Sequence, residues 1–140
     1  MVKNPGFMLL NVHGLISLSN KSKLLRINDI ACVHNIKVIG ITESHLDDKH
    51  QDGEVSINGF RAIRSDRRNR KHGGVMIYTA NEYKVRVIYS DSNEVCETLV
   101  LYIRNINSIV AICYRPPDCT TDEFSEIMVN VDKAIEKRNE

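Results

Sequence analysis

The sequence predicts an α/β domain, a mixed sheet with helices packed along one side. Short apolar runs of strand length recur along the chain, one amphipathic stretch of helical period separates the first two, and a second follows the last. A chain of 140 residues suits a single domain with a real core. With 42% hydrophobic and 26% charged residues, the composition excludes a disordered chain. No apolar run approaches the roughly 20 residues of a membrane span. Met1 to Leu10 carries one basic residue and no small-residue cleavage pattern, so it reads as an internal strand and not as a signal peptide. The net charge of +1 leaves the choice of partner to how the charges are distributed.

Phe7 to Val12 reads as the first strand, broken at Gly14. Across Ser22–His34, Leu24, Ile27, Ala31 and His34 share a face that Leu25, Ile30 and Val33 widen, which predicts an amphipathic helix. Ile36–Glu43 is the next strand, and strand, helix and strand at this spacing make a βαβ unit with parallel strands. Ser44–Asn58 is a polar, acidic loop with turn signals at Gly53 and Asn58-Gly59. Phe60–Ile63 and Val75–Thr79 are short strands on either side of the basic loop Asp66–His72, and Lys84–Val87 alternates as a half-exposed strand does. Glu97–Ile103 and Ser108–Tyr114 form a hairpin through Arg104–Asn107; the second is apolar almost throughout, the pattern of a strand buried on both faces. Thr120 with Glu123 is a capping box opening a helix through Phe124, Ile127, Met128, Val131 and Ile135. Cys32, Cys96, Cys113 and Cys119 contain no C-x-x-C pair and read as small buried thiols, with no zinc site expected at Cys113 and Cys119.

Three apolar segments end on groups that phosphodiester chemistry uses: Asn11, Glu43 and Tyr114. Ligands of open α/β sheets collect at the carboxyl ends of strands, where Asn11 and Glu43 would lie together. Glu43 is either a solvated strand-end acid or a Mg²⁺ ligand, since Mg²⁺ takes oxygen ligands from one or two carboxylates and substrate phosphate. Asn11 is either a turn residue or an amide that donates to a phosphate oxygen. Tyr114 is a packed aromatic or a phenol aimed at the site, followed by Arg115, which can pair with phosphate, and by the strand-stopping Pro116-Pro117. His13 is read as rim decoration. Arg61, Arg64, Arg67, Arg68, Arg70 and Lys71 have only Asp66 as a local countercharge. They form either a solvated loop or a phosphate-neutralising patch.

The order Asn11-Val12-His13-Gly14-Leu15, Ile39-Gly40-Ile41-Thr42-Glu43-Ser44, Asn58-Gly59-Phe60, Gly73-Gly74-Val75-Met76-Ile77-Tyr78 and Tyr114-Arg115-Pro116-Pro117 resembles the endonuclease/exonuclease/phosphatase superfamily, with its DNase I-like fold. The Thr-Glu-Ser variant, the Arg-rich segment before Gly-Gly-Val and the Tyr-Arg-Pro-Pro ending look most like the apurinic-type endonuclease domains of non-LTR retrotransposons. The resemblance implies that residues 1–140 are the N-terminal half of a two-sheet α/β sandwich, a partial domain whose C-terminal half is absent. It implies catalytic roles for Asn11, Glu43 and Tyr114, with Glu43 and Asn11 holding Mg²⁺ or Mn²⁺ in the complete domain. It makes DNA the partner, met by Arg64, Arg67, Arg68, Arg70, Lys71 and Arg115, and it implies nicking of a target whose 3′ end primes reverse transcription, in a nuclear setting.

Nothing in the sequence matches the family's later Asp-x-Asn motif or terminal Asp-His pair, which orient and activate the attacking water. The chain alone is therefore expected to be inactive, with the missing half or a reverse transcriptase region as its protein partner. The alternatives are a non-catalytic nucleic-acid or protein binding remnant and another phosphodiesterase or phosphatase of the superfamily. With only one sheet face covered by helices, the chain is also expected to self-associate.

Overall fold

The computed structural model describes residues 4–16, 21–67, 72–92 and 96–138. It contains two sheets. Strands β1 (Gly6–Asn11), β2 (Ile36–Thr42), β3 (Phe60–Ser65) and β4 (Val75–Ala80) form a mixed sheet in the order β1-β2-β4-β3. Strands β5 (Val85–Ser92), β6 (Glu97–Ile103) and β7 (Ser108–Tyr114) form an antiparallel sheet in the order β5-β6-β7. Between β1 and β2 lies helix α1 (Ser22–Val33), and helix α2 (Thr121–Lys137) follows β7. β1 and β2 are parallel, with Asn11 opposite Thr42, as the βαβ spacing requires.

α1 buries Leu24, Ile27 and Ala31 against Ile39, Ile41, Met76 and Tyr78 on one face of the four-stranded sheet. Each large aliphatic side chain so buried contributes about 1.5–3 kcal/mol. The opposite face carries Val38, Val75 and Ile77, which pack on Leu99, Leu101, Ile103 and Ile112 of the second sheet. The expectation of one sheet with both helices on one side is thus corrected. The second sheet comes from this chain's own β5–β7, and the alternation of β6 turns Val100 and Tyr102 to its outer face. There α2 lies against β5, and Arg138 stacks over Tyr102 with its guanidinium carbon 4.6 Å from the ring centre. α2 opens on the expected capping box: Thr120 Oγ1 accepts from Glu123 N, and Glu123 Oε1 accepts from Thr120 N.

β7 is not buried on both faces. It is an edge strand with Ala111 exposed and only Ile112 buried. The strands buried on both faces are the central ones, β4, flanked by β2 and β3 between the α1 layer and the second sheet, and β6, flanked by β5 and β7. β1 is likewise an edge, and between β1 and β7 an apolar groove of about 400 Å³ is lined by Phe7, Leu9, Gly40, Val110 and Ile112. Cys96 and Cys119 are buried as expected, whereas Cys32 is exposed on α1, because it falls off the Leu24–Ile27–Ala31 stripe. Among the described residues no helix is long and apolar enough to cross a membrane.

Candidate functional site

The carboxyl ends of β1 and β2 are laced into one rim by backbone hydrogen bonds. Val12 N donates to Thr42 O (3.1 Å), Gly14 N to Glu43 O (2.8 Å) and Leu15 N to Ser44 O (3.0 Å). On the other side, Ser44 N donates to Gly74 O (3.2 Å) and His45 N to Gly73 O (2.8 Å). To make these bonds the three segments fold back tightly, with positive φ at His13, Gly14, Glu43, His45, His72, Gly73 and Gly74. Left-handed backbone at non-glycine residues is costly and concentrates at functional sites. Lys23, in the first turn of α1, closes the loop from below: its Nζ donates to Val12 O and Gly14 O, both at 2.7 Å.

Glu43 stands at the centre of the rim. Tyr114, from the end of β7 in the other sheet, donates its hydroxyl to Glu43 Oε1 at 2.5 Å. That bond holds the Glu43 carboxyl below the usual carboxylate range, with His13 acting in the same direction, and it pushes the Tyr114 phenol up. His13 Nδ1 lies 3.5 Å from Glu43 Oε2. The His45 ring meets His13 edge-on at 5.0 Å and His72 at 4.6 Å. Burial, followed by the charges of His72 and His13, depresses the His45 pKa and favours a neutral ring. Asn11 is exposed at the end of β1, and its register with Thr42 continues the Phe7–Leu9 row towards the gap between the sheets. Glu43 and Tyr114 are thus in direct contact, with Asn11 on the same rim.

The basic stretch divides. Arg67 is ion-paired with the fully buried Glu97, which also accepts from Gly74 N at 3.1 Å, and its guanidinium carbon sits 5.7 Å from the Tyr114 ring centre. Arg64 bonds Asp66 (2.5 Å) and Asp52 (3.0 Å), and donates to the carbonyls of His50 and Asp47. These two arginines are not a solvated cluster with one countercharge; their charges are already matched inside the fold. Asp52 and Glu97 are distant in sequence, so the local composition did not reveal the pairing. Arg68, Arg70 and Lys71 lie outside the described residues. Arg115 is exposed, donates to Cys119 O (3.1 Å) and stacks over Phe124, fixing the turn into α2.

For Mg²⁺ or Mn²⁺ the donor set is thin. Glu43 is the carboxylate of the rim, one of its oxygens accepts from Tyr114, and the Asn11 amide is the other oxygen donor expected from the sequence. Beyond the Tyr114 hydroxyl, the neighbours of Glu43 are the imidazoles of His13 and His45, whereas Mg²⁺ demands oxygen. Glu43 offers a carboxylate oxygen, and most of an oxygen shell would have to come from phosphate, water and further groups. His45 and Lys23 join the rim without being expected there from the sequence, and His13, expected only as rim decoration, lies against Glu43. The i, i+2 spacing of Glu43 and His45 at a strand end was the available signal for the first, and Lys23 left none.

No protein-family model matches this chain, and no curated protein matches it.

Proposed function

We propose that this chain is the N-terminal part of a DNase I-like, metal-dependent DNA endonuclease domain of the kind that non-LTR retrotransposons carry, and that it is inactive alone. The Tyr114–Glu43 contact supports this reading most. It joins two sheets at the strand-end rim and keeps a carboxylate ionised and oriented where a phosphate would approach. Mg²⁺ or Mn²⁺, held through Glu43 and Asn11, would supply Lewis-acid stabilisation of phosphate charge. Tyr114 orients the carboxylate, and the Asn11 amide donates to a phosphate oxygen. No second carboxylate joins Glu43 in the rim cluster of described residues, so activation of water falls to groups outside it. The open edges of β1 and β7, side by side across an apolar groove, are where the remainder of such a domain would extend both sheets.

Nicking and binding assays on residues 1–140 separate this from the rival readings. No nicking of supercoiled DNA in Mg²⁺ is expected above a Glu43→Ala control. Fluorescence anisotropy with a labelled duplex is expected to show binding that Mg²⁺ strengthens and Glu43→Ala weakens. Binding indifferent to both Mg²⁺ and Glu43 overturns the proposal and favours a non-catalytic binding module.

A further inference from the structure

The imidazole-rich side of the rim has a chemistry of its own. One ring nitrogen each from His13 and His45 and one carboxylate oxygen of Glu43 lie within 4.8 Å of one another. From this geometry we infer that His13, Glu43 and His45 form a binding site for a late first-row divalent cation such as Zn²⁺ or Co²⁺, through two nitrogens and one oxygen. This goes beyond the endonuclease reading and stands without it, because it needs neither DNA nor any further part of a domain.

Two imidazoles and a carboxylate are the donor set these metals accept and Mg²⁺ does not favour. Tetrahedral zinc with ligands at about 2.0–2.1 Å needs donor atoms about 3.3 Å apart. His13 Nδ1 and Glu43 Oε2 are already 3.5 Å apart. The His13 side chain is 84% exposed, so it can rotate the remaining distance towards His45 without disturbing the core. His45 Nε2 is buried with no hydrogen-bond partner among the described residues, a costly state that a metal ion or a reoriented ring would relieve. The rest of the site is preorganised: Tyr114 fixes Glu43 through its other oxygen, His72 packs on the His45 ring, the bonds Gly14 N to Glu43 O and Leu15 N to Ser44 O tie the His13 loop to the Glu43–His45 segment, and His45 N is anchored on Gly73 O. Exposure of His13 leaves a position for water or an anionic ligand.

Co²⁺ titration followed by visible absorption, with isothermal titration of Zn²⁺ alongside, tests the site in the intact chain. The expected result is saturable binding of one ion, a tetrahedral or five-coordinate d–d spectrum without thiolate charge transfer, and no displacement by millimolar Mg²⁺. His13→Gln and Glu43→Gln should each abolish that binding while the circular dichroism spectrum stays unchanged. His13→Gln is the decisive variant, since an exposed side chain can be replaced without unfolding the chain. Thiolate charge transfer would place the ion on a cysteine, such as the exposed Cys32 or the Cys96–Cys113 pair whose sulfurs are 3.8 Å apart, and would overturn the inference. Binding unaltered in His13→Gln, or no saturable binding, would also overturn it. Neither outcome touches the endonuclease proposal, whose test reads Mg²⁺ and DNA.

Discussion

Tyr114 and Glu43 close the seam between the two sheets: a phenol at the end of β7 donates to a carboxylate just beyond β2, 71 residues earlier in the chain. Replacing Tyr114 with Phe keeps the ring under Arg67 and deletes only this bond. A charge-assisted hydrogen bond that is partly exposed contributes about 1–2 kcal/mol. Urea unfolding should show a loss of that size with an unchanged slope. A neutral result would mean that the rim is held by its backbone bonds alone.

Arg67 and Glu97 should behave as a unit. Glu97→Ala leaves a guanidinium buried without its partner, and such a change costs about 3–5 kcal/mol. The double variant Arg67→Met, Glu97→Leu should recover most of that loss. Arg64 and Arg67 are committed internally, so neutralising Arg68, Arg70 and Lys71 should be what flattens the salt dependence of DNA binding, by a slope of about 0.9 for each phosphate contact removed. Anisotropy across a salt series reads this. A slope that changes with Arg67→Met in a folded protein would show that Arg67 reaches phosphate after all.

Thiol chemistry should distinguish the cysteines. Cys32 is exposed, whereas burial pushes the Cys96 thiol up to about 12, so little thiolate forms there at neutral pH. Ellman's reagent should modify Cys32 rapidly in the native protein, and Cys96 and Cys119 only on unfolding. Rapid native labelling of a Cys32→Ser variant at Cys96 would contradict the packing of α2 on the second sheet.

The capping box of α2 gives a pH dependence whose sign is fixed. Hydrogen bonds from the Thr120 backbone and side chain hold the Glu123 carboxyl below its ordinary value. The unfolded chain therefore binds more protons in acid. The stabilisation is complete above the ordinary carboxylate pKa and is lost as the pH falls through the depressed folded value. Glu123→Gln should flatten the acid limb of the stability curve, and Thr120→Ala should cost about 1 kcal/mol at neutral pH. Parallel acid limbs for wild type and Glu123→Gln would exclude this contribution.

Leu9 and Phe7 are 69% and 53% exposed on an edge strand beside the apolar groove. Such edges template pairing with another chain. The isolated protein should bind a hydrophobic dye and associate with rising concentration, and Leu9→Lys should suppress both in light scattering. A dye-negative monomer in the wild type would mean that the groove is closed in solution.

Local pattern made the elements legible. The Leu24–Ile27–Ala31 stripe and the Thr120–Glu123 pair each report a structure built within one segment, whereas the alternation after Lys84 marks the strand but not its faces, because an irregularity between Val87 and Tyr89 leaves Val87 exposed. How the strands were shared between sheets was not legible, because pairing joins residues far apart in sequence and an apolar strand reads alike at an edge and at a centre. Ser108–Tyr114 shows the ambiguity: its apolar residues face the other sheet and an open groove, not two covered layers. The site followed the same division. Glu43 and Tyr114 could be named from the strands they terminate, but the partners Asp52 and Glu97, the loop-closing Lys23 and the ring of His45 depend on tertiary placement.

The left-handed turns at the rim carry a consequence for how this chain would respond to selection. At His13, Glu43 and His45 the backbone conformation is one that glycine adopts freely and that costs other residues about 1–2 kcal/mol. A library screened only for resistance to proteolysis should therefore drift towards glycine first at the exposed His13, while at Glu43 the bond from Tyr114 offsets the strain and opposes the same change. A screen for retained ligand would hold His13 in place against that drift. The divergence between the two enriched pools would measure, residue by residue, how much robustness the molecule forgoes to keep side chains at its rim.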